Sequence, residues 1–241
     1  MGLGKASNCW RSLSYIIGGS MEKLTTGSKN LDELLGGGIG RGVLTQVYGA
    51  FATGKTTLAM QVGMLNKGKV VYIDTEGGFS PERLKLMAEK RGIDPEETLQ
   101  RFIIFEPHDF KEQKRVISRL KTVVNSRFAL VVVDSVTSHY RVEKDRQSLN
   151  VELGKQLQVL LWLARKYNLA VIVVNQVYFD SNSGSLKPIA EHTLGYKCKD
   201  ILRLEKLSKP GIRIAILERH RFRPEGGIVY FKITDRGIED I

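Results

Sequence analysis

Short apolar, β-branched runs recur along the chain at residues 43–48, 70–74, 102–105, 130–134 and 170–175. They are short and β-branched, which predicts strands buried on both faces, as in a parallel sheet. Between them lie longer segments with helical spacing, the clearest at residues 147–167. There Leu149, Leu153, Leu157, Leu160, Leu161 and Ala164 make one apolar stripe. Such a stripe is the core-facing side of a helix, not a ligand site. Alternation of the two element types predicts an α/β domain with a mostly parallel twisted sheet and helices on both faces. The pattern changes near residue 199. Residues 199–233 read as three strands joined by turns at Lys209-Pro210-Gly211 and Pro224-Glu225-Gly226-Gly227, which predicts antiparallel strands added to that sheet.

One domain is expected from residue 21 to residue 241, with no internal repeat. Residues 1–20 stand apart: they hold no acidic residue and end in Gly18-Gly19-Ser20 before a second methionine, Met21. They read as an over-extended start, a tag or linker segment, or a docking arm. The apolar stretch Leu13-Ser14-Tyr15-Ile16-Ile17 is too short for a signal-peptide core, and no run reaches the roughly 18–20 residues of a membrane span. A cytoplasmic protein with no membrane association is the expectation. Two cysteines, Cys9 and Cys198, fit a reducing compartment better than a disulfide framework, and no Cys/His cluster has zinc spacing.

The candidate chemistry begins behind the first long strand. Gly49, Ala50, Phe51, Ala52, Thr53, Gly54, Lys55 and Thr56 fit G-x-x-x-x-G-K-[ST] at every fixed position, and Thr57 continues into a helix-like segment. Glycines let successive backbone N–H groups curl toward phosphate oxygens, and the helix N-terminus adds partial positive charge. Lys55 is placed to reach β- and γ-phosphates, and the Thr56 hydroxyl to ligate Mg²⁺. A strand–loop–helix context makes this a nucleotide site, with ATP and Mg²⁺ as cofactors. The run Leu130-Val131-Val132-Val133-Asp134-Ser135 supplies the complementary strand, ending in a carboxylate at the sheet edge where ligands bind in open α/β folds. Asp134 is the second metal candidate. Two more strand ends are polar. Glu76, after Asp74 and Thr75, is either a water-polarising carboxylate or a solvated turn charge. Gln176, after Asn175, is either a γ-phosphate sensor or an ordinary strand-end amide.

The formal net charge of +11 favours a polyanionic partner, nucleic acid first and an anionic membrane surface second, against a merely basic protein. The charge concentrates in residues 196–224, at Lys197, Lys199, Arg203, Lys206, Lys209, Arg213, Arg219, Arg221 and Arg223, with His220 among them. In Arg219-His220-Arg221-Phe222-Arg223, a strand would put the three arginines on one face and Phe222 in the core. That face either tracks a phosphate backbone or protects a sheet edge. Aromatic stacking residues look sparse, so backbone-led binding with little sequence preference is expected.

Together, the phosphate loop, Tyr72-Ile73-Asp74-Thr75-Glu76-Gly77, Pro81-Glu82-Arg83-Leu84, Leu130 to Ser135 and Val174-Asn175-Gln176-Val177 resemble the RecA/RadA recombinase core. The tail Ile233-Thr234-Asp235-Arg236-Gly237-Ile238-Glu239-Asp240 resembles the end of archaeal RadA. The stretch Leu217-Glu218-Arg219-His220-Arg221-Phe222-Arg223-Pro224-Glu225-Gly226 is similar to that of a short archaeal RadA paralogue. The resemblance spans about residues 21–241 and implies a RecA-like P-loop NTPase core. It further implies that Glu76 activates water, that Gln176 couples the γ-phosphate to a DNA-binding loop at residues 178–192, and that Arg83 packs on adenine, as its planar guanidinium allows.

RadA also carries a helical N-terminal DNA-binding domain, for which no counterpart is seen, and docks its neighbour through an aromatic-x-x-small motif. Tyr15-Ile16-Ile17-Gly18 resembles that motif only loosely. The resemblance thus implies an ATP- and DNA-binding accessory protein of recombination and repair. It would bind single- and double-stranded DNA and assist a RadA recombinase, with weak ATP hydrolysis and no strand exchange of its own. A Holliday-junction nuclease is a second implied partner, and homo-oligomers are open. The alternative is a stand-alone DNA-dependent ATPase, recombinase or helicase-like motor.

Overall fold

The computed structural model describes residues 22–141, 146–182 and 184–241. The N-terminal segment, with Cys9 and the Tyr15 motif, lies outside the described residues. A small ladder of β1 (Lys23–Leu24) and β2 (Ile39–Gly40) flanks helix α1 (Lys29–Leu34). The five expected strands follow as β3 (Leu44–Gly49), β4 (Lys69–Asp74), β5 (Phe102–Phe105), β6 (Phe128–Asp134) and β7 (Ala170–Asn175). Helices α2 (Lys55–Leu65), α3 (Pro81–Lys90), α4 (Pro95–Gln100), α5 (Phe110–Val123) and α6 (Arg146–Tyr167) connect them. Beyond β7 come a hairpin, β8 (Val177–Asp180) with β9 (Ser185–Pro188), and then α7 (Glu191–Lys197). The chain closes with β10 (Asp200–Lys206), β11 (Ile212–Arg219), β12 (Ile228–Thr234) and β13 (Gly237–Asp240).

Among the described residues the main sheet has nine strands in the order β13-β12-β11-β10-β3-β7-β6-β4-β5. The run from β10 to β5 is parallel, and β11, β12 and β13 add to it antiparallel. The expected architecture is therefore present, with a fourth C-terminal strand that the turn signals did not mark. One core packs α1, α2 and α3 on one face of the sheet, through residues such as Leu31, Leu58, Val62 and Met87. A second packs α5, α6 and α7 on the other, through Ile117, Leu120, Leu157 and Leu194. The α6 stripe is buried as expected except at Leu161, which is half-buried on its flank. Leu163, one turn on from Leu160, fills the core there.

Gln61 ties the phosphate-loop helix to distant backbone. Fully buried on α2, its Nε2 donates to Thr26 O at 2.7 Å and Ile238 O at 3.0 Å, and its Oε1 accepts from Ile238 N at 2.6 Å. Gln61→Leu keeps the volume but leaves buried backbone groups unpaired, at about 1–3 kcal/mol each. Urea melts of the variant should show a loss of about 3 kcal/mol without a changed m-value.

Candidate functional site

All six parallel strands direct their C-terminal ends to one edge of the sheet, and the expected nucleotide residues converge there. Strand β3 runs into the loop at Gly49, and α2 begins at Lys55. Two positions in the loop admit only glycine. A Cβ on Gly49 would lie 2.1 Å from Leu204 O on β10, and Gly54 has φ +103° with Ile233 Cδ1 2.8 Å from the same imagined atom. The loop thus packs directly on the C-terminal strands. Lys55 Nζ donates to Gly49 O and Ala50 O at 2.9 Å each, which holds its cation at the concave side of the turn. Burial lowers the Lys55 pKa, while Asp134 and Glu76 oppose the shift.

Asp134 is the centre of this edge. Its Oδ2 accepts from Thr56 Oγ1 and from Tyr72 OH, both at 2.7 Å. Burial raises its pKa, with the two hydrogen bonds working the other way. Asp74 lies beside it in the β4–β6 register, yet does different work. Its carboxylate accepts from the backbone N–H groups of Glu76 (3.1 Å), Gly78 (3.1 Å) and Phe79 (2.8 Å). Asp74 therefore folds the turn that presents Glu76. The Glu76 carboxylate accepts from Gln176 Nε2, so the ends of β4 and β7 meet over the site. Next to it, Ser135 N donates to Thr75 Oγ1 at 2.9 Å, and the Asp134–Ser135 peptide is cis.

Lys55, Thr56, Glu76, Asp134 and Gln176 line a cavity of about 780 Å³ together with Phe51, Thr57, Arg213 and Ile233. Two residues that build this edge of the sheet carried no local signal. Tyr72 reads as an ordinary strand residue, and Arg213, whose Nε donates to Ala52 O at 3.2 Å, read only as one of many basic residues. Arg83 does not line the cavity. Its guanidinium donates to Thr234 O and pairs with Asp235 at 3.7 Å, over the β12–β13 turn beside Ile233. For the metal, Thr56 and Asp134 offer hard oxygen donors suited to Mg²⁺, which keeps several waters and takes few protein ligands. No cluster of three or more His, Cys, Asp or Glu side chains able to hold a metal ion occurs among the described residues.

The basic run is arranged otherwise than a single strand face. Strand β11 ends at Arg219, opposite Ile201, because β10 begins one residue earlier and β12 pairs no further than Ile216 with Ile228. Residues 220–223 leave the sheet. Phe222 is 69% exposed instead of entering the core, and the Arg221 guanidinium sits 5.4 Å from its ring. Arg219 Nη1 donates to Gly195 O at 2.6 Å, so it binds α7. The antiparallel register also splits the charge. Lys206 and Arg213 pair at the phosphate-loop edge, whereas Arg219 and the Arg221–Arg223 turn lie toward the opposite edge, with Lys197 and Lys199 leading into β10. The described residues within 178–192 belong to the β8–β9 hairpin and the start of α7, and the hairpin exposes Tyr178 and Phe179. Exposed aromatic faces are thus less sparse here than the sequence suggested.

Sheet order, phosphate loop and the Thr56–Asp134 pair define a RecA-like P-loop nucleotide-binding domain. The family model described as Rad51 matches residues 19–241, and the chain belongs to that family. It is 74% identical to the DNA repair and recombination protein RadB of Thermococcus sibiricus, over 90% of this chain and 95% of the relative. It is 73% identical to the protein of that name in Pyrococcus abyssi, over 90% of this chain and 94% of the relative. A solved structure described as the crystal structure of the RadB recombinase is similar at a TM-score of 0.85 and 67% identity, covering 90% of this chain and 99% of that one. No helix among the described residues is long and apolar enough to cross a membrane.

Asp134 yields a test with a definite sign. A carboxyl whose pKa is raised by folding binds its proton more tightly when folded. The fold is therefore progressively destabilised as pH rises from the unfolded to the folded pKa. Asp134→Asn should raise Tm at neutral pH, with the gain shrinking as pH falls into the acid range. Calorimetric melts across that range check it, and a lower Tm at neutral pH would contradict it.

Proposed function

We propose that this chain binds ATP with Mg²⁺ and binds DNA, and acts in homologous recombination and repair as an accessory to a RadA recombinase. The observation that carries the nucleotide reading is the convergence of Lys55, Thr56, Asp134, Glu76 and Gln176 on one cavity. Thr56 and Asp134 would hold Mg²⁺, and the bound ion would neutralise phosphate charge. Lys55 and the N–H groups of residues 49–56 orient the phosphates. Glu76, held by the Gln176 amide, aligns a water. Arg83, on α3 with its guanidinium over the β12–β13 turn, packs against the adenine. Gln176 stands at the foot of the β8–β9 hairpin, where it links phosphate state to DNA contact. The exposed Arg221 and Arg223, with Arg219, Lys197 and Lys199, supply phosphate contacts to single- or double-stranded DNA.

Weak hydrolysis is part of this reading. Among the described residues the cations lining the cavity are Lys55 and Arg213, and both are engaged by loop carbonyls. That is a modest complement for the charge of a transferring phosphoryl group. Near full-length similarity to proteins named for DNA repair and recombination supports the biological role. A Holliday-junction nuclease is a further partner in the same reading. The word "recombinase" in the description of the similar structure favours a second reading, in which the protein exchanges strands unaided.

Lys55→Ala should weaken ATP binding by roughly a hundredfold, equivalent to about 3 kcal/mol of charge-assisted hydrogen bonding. Glu76→Gln should retain binding while lowering hydrolysis by roughly a hundredfold. Calorimetric titration and phosphate release measure the two. Joint-molecule formation between homologous single- and double-stranded DNA decides the role. We expect no product from this protein alone and an altered yield when it is added to RadA; efficient product without RadA establishes the second reading.

For DNA, log affinity should fall linearly with log salt, and replacing Arg219, Arg221 and Arg223 together by Ala should flatten the slope by about 2. Anisotropy titrations over a salt series show this. An unchanged slope would leave the three arginines as solvated charge.

A further inference from the structure

A second cavity, of about 450 Å³, lies on the α7 side of the sheet away from the nucleotide site. Its floor crosses three strands, because Gln46 on β3 is in register with Ile201 on β10, which is in register with Arg219 on β11. Gln46 is only 2% exposed, lines this cavity, and its Nε2 has no hydrogen-bond partner among the described residues. Burying an amide donor without an acceptor is unfavourable unless something else meets it. The walls carry carboxylates from Glu191 and Glu218. Tyr48 OH donates to Glu218 Oε1 at 2.6 Å, and Arg203 Nε lies 2.9 Å from the same oxygen, so this wall is held in place. Burial and Glu218 push the Tyr48 phenol up, which keeps its proton on oxygen. At the rim Tyr196 is 81% exposed, its ring a free stacking face.

These groups select a ligand class. The Glu191 and Glu218 carboxylates in the walls disfavour a phosphate inside the cavity. The space far exceeds a single water, whose share of liquid volume is about 30 Å³. What fits is a neutral planar group that presents an N–H donor beside an acceptor, the donor toward a carboxylate and the acceptor toward Gln46 Nε2. The amino-bearing edges of cytosine and adenine have that pattern, and thymine lacks the amino group. Lys197 and Lys199 follow Tyr196 in the chain, outside the cavity wall, where backbone phosphates would pass.

We propose that this cavity is a base-binding subsite for single-stranded DNA. It takes one unstacked amino-bearing base, stacked on Tyr196 and read by Gln46 and the carboxylate wall. The proposal rests on the DNA-binding reading above and adds a base contact to it.

Anisotropy titrations with labelled dC and dT oligonucleotides and an abasic strand of equal length test it, in the presence of ATP and Mg²⁺. The wild-type chain should bind dC about tenfold more tightly than dT, the scale of one good edge contact. Gln46→Leu should bring dC down to dT. Tyr196→Ala should weaken dC and dT several-fold, in line with the loss of one base stack, and leave the abasic strand unchanged. Equal wild-type affinity for dC and dT overturns the subsite, as does a preference that survives in Gln46→Leu. If Gln46→Leu does not fold, the exposed Tyr196→Ala decides: equal losses on base-bearing and abasic strands overturn the proposal. Failure to bind any of the three strands overturns the DNA-binding reading itself, whereas binding all three alike overturns the subsite alone.

Discussion

The Asp134 carboxylate accepts hydrogen bonds from Tyr72 on β4 and Thr56 at the start of α2. It is buried, and a buried charge without partners would cost several kcal/mol, on the order of 3–5 when one partner of a pair is removed. The two hydroxyls reduce that cost and fix geometry at the same time. They hold the ends of β4 and β6 and the first turn of α2 in one arrangement, and the phosphate loop has to start from there. The Gly49 and Gly54 contacts with β10 and β12 then close the loop from the other side. The loop is therefore clamped between the parallel half of the sheet and its antiparallel extension.

Around this clamp the acidic groups divide their tasks. Asp74 spends its oxygens on the backbone of the following turn, and Glu76 is left facing the cavity. Gln176 joins the Glu76 carboxylate to the start of the hairpin, and its carbonyl accepts from Ile189 N at 3.1 Å at the hairpin's far end. Asn175 reinforces that corner through Ile189 O at 2.8 Å. A contiguous set of hydrogen bonds thus runs from the nucleotide cavity to the exposed aromatic residues of the hairpin. This is a physical connection of the kind that coupling requires, although coupling itself is an energetic quantity.

The α7 face has a different character. Helix α7 has only seven residues and leaves part of the sheet above β3, β10 and β11 to polar side chains. Gln46 and Tyr48 are buried there, and the half-buried Arg203 and Glu218 lie beside Tyr48. Tyr48 meets Glu218 in a hydrogen bond and Arg203 meets it in an ion pair, while the Gln46 Nε2 amide has no hydrogen-bond partner among the described residues. Buried polar groups that are only partly satisfied are expected at functional sites rather than in plain core.

By itself the sequence determined the strand–loop–helix of the phosphate site, the Asp134 strand end, the long α6 helix and the antiparallel tail. Each is written in neighbouring residues, because glycine freedom, apolar periodicity and turn chemistry act over a few positions. It also marked Glu76 and Gln176, as polar groups ending apolar runs. What it left open was every choice that depends on which strands lie side by side. Asp74 and Glu76 look equivalent along the chain, and only the turn after β4 separates an anchor from a cavity group. Arg213 and Arg219 look like members of one basic run, but an antiparallel strand carries them to opposite edges. Phe222 was expected inside because a strand was extended past the point where its neighbours end. Gln46 is the sharpest case: it sits in the strand that feeds the phosphate loop but outside the motif itself, and nothing local gives it a role. Its meaning comes from Ile201, Arg219 and Glu191, far away in sequence, and only tertiary packing brings them to one cavity.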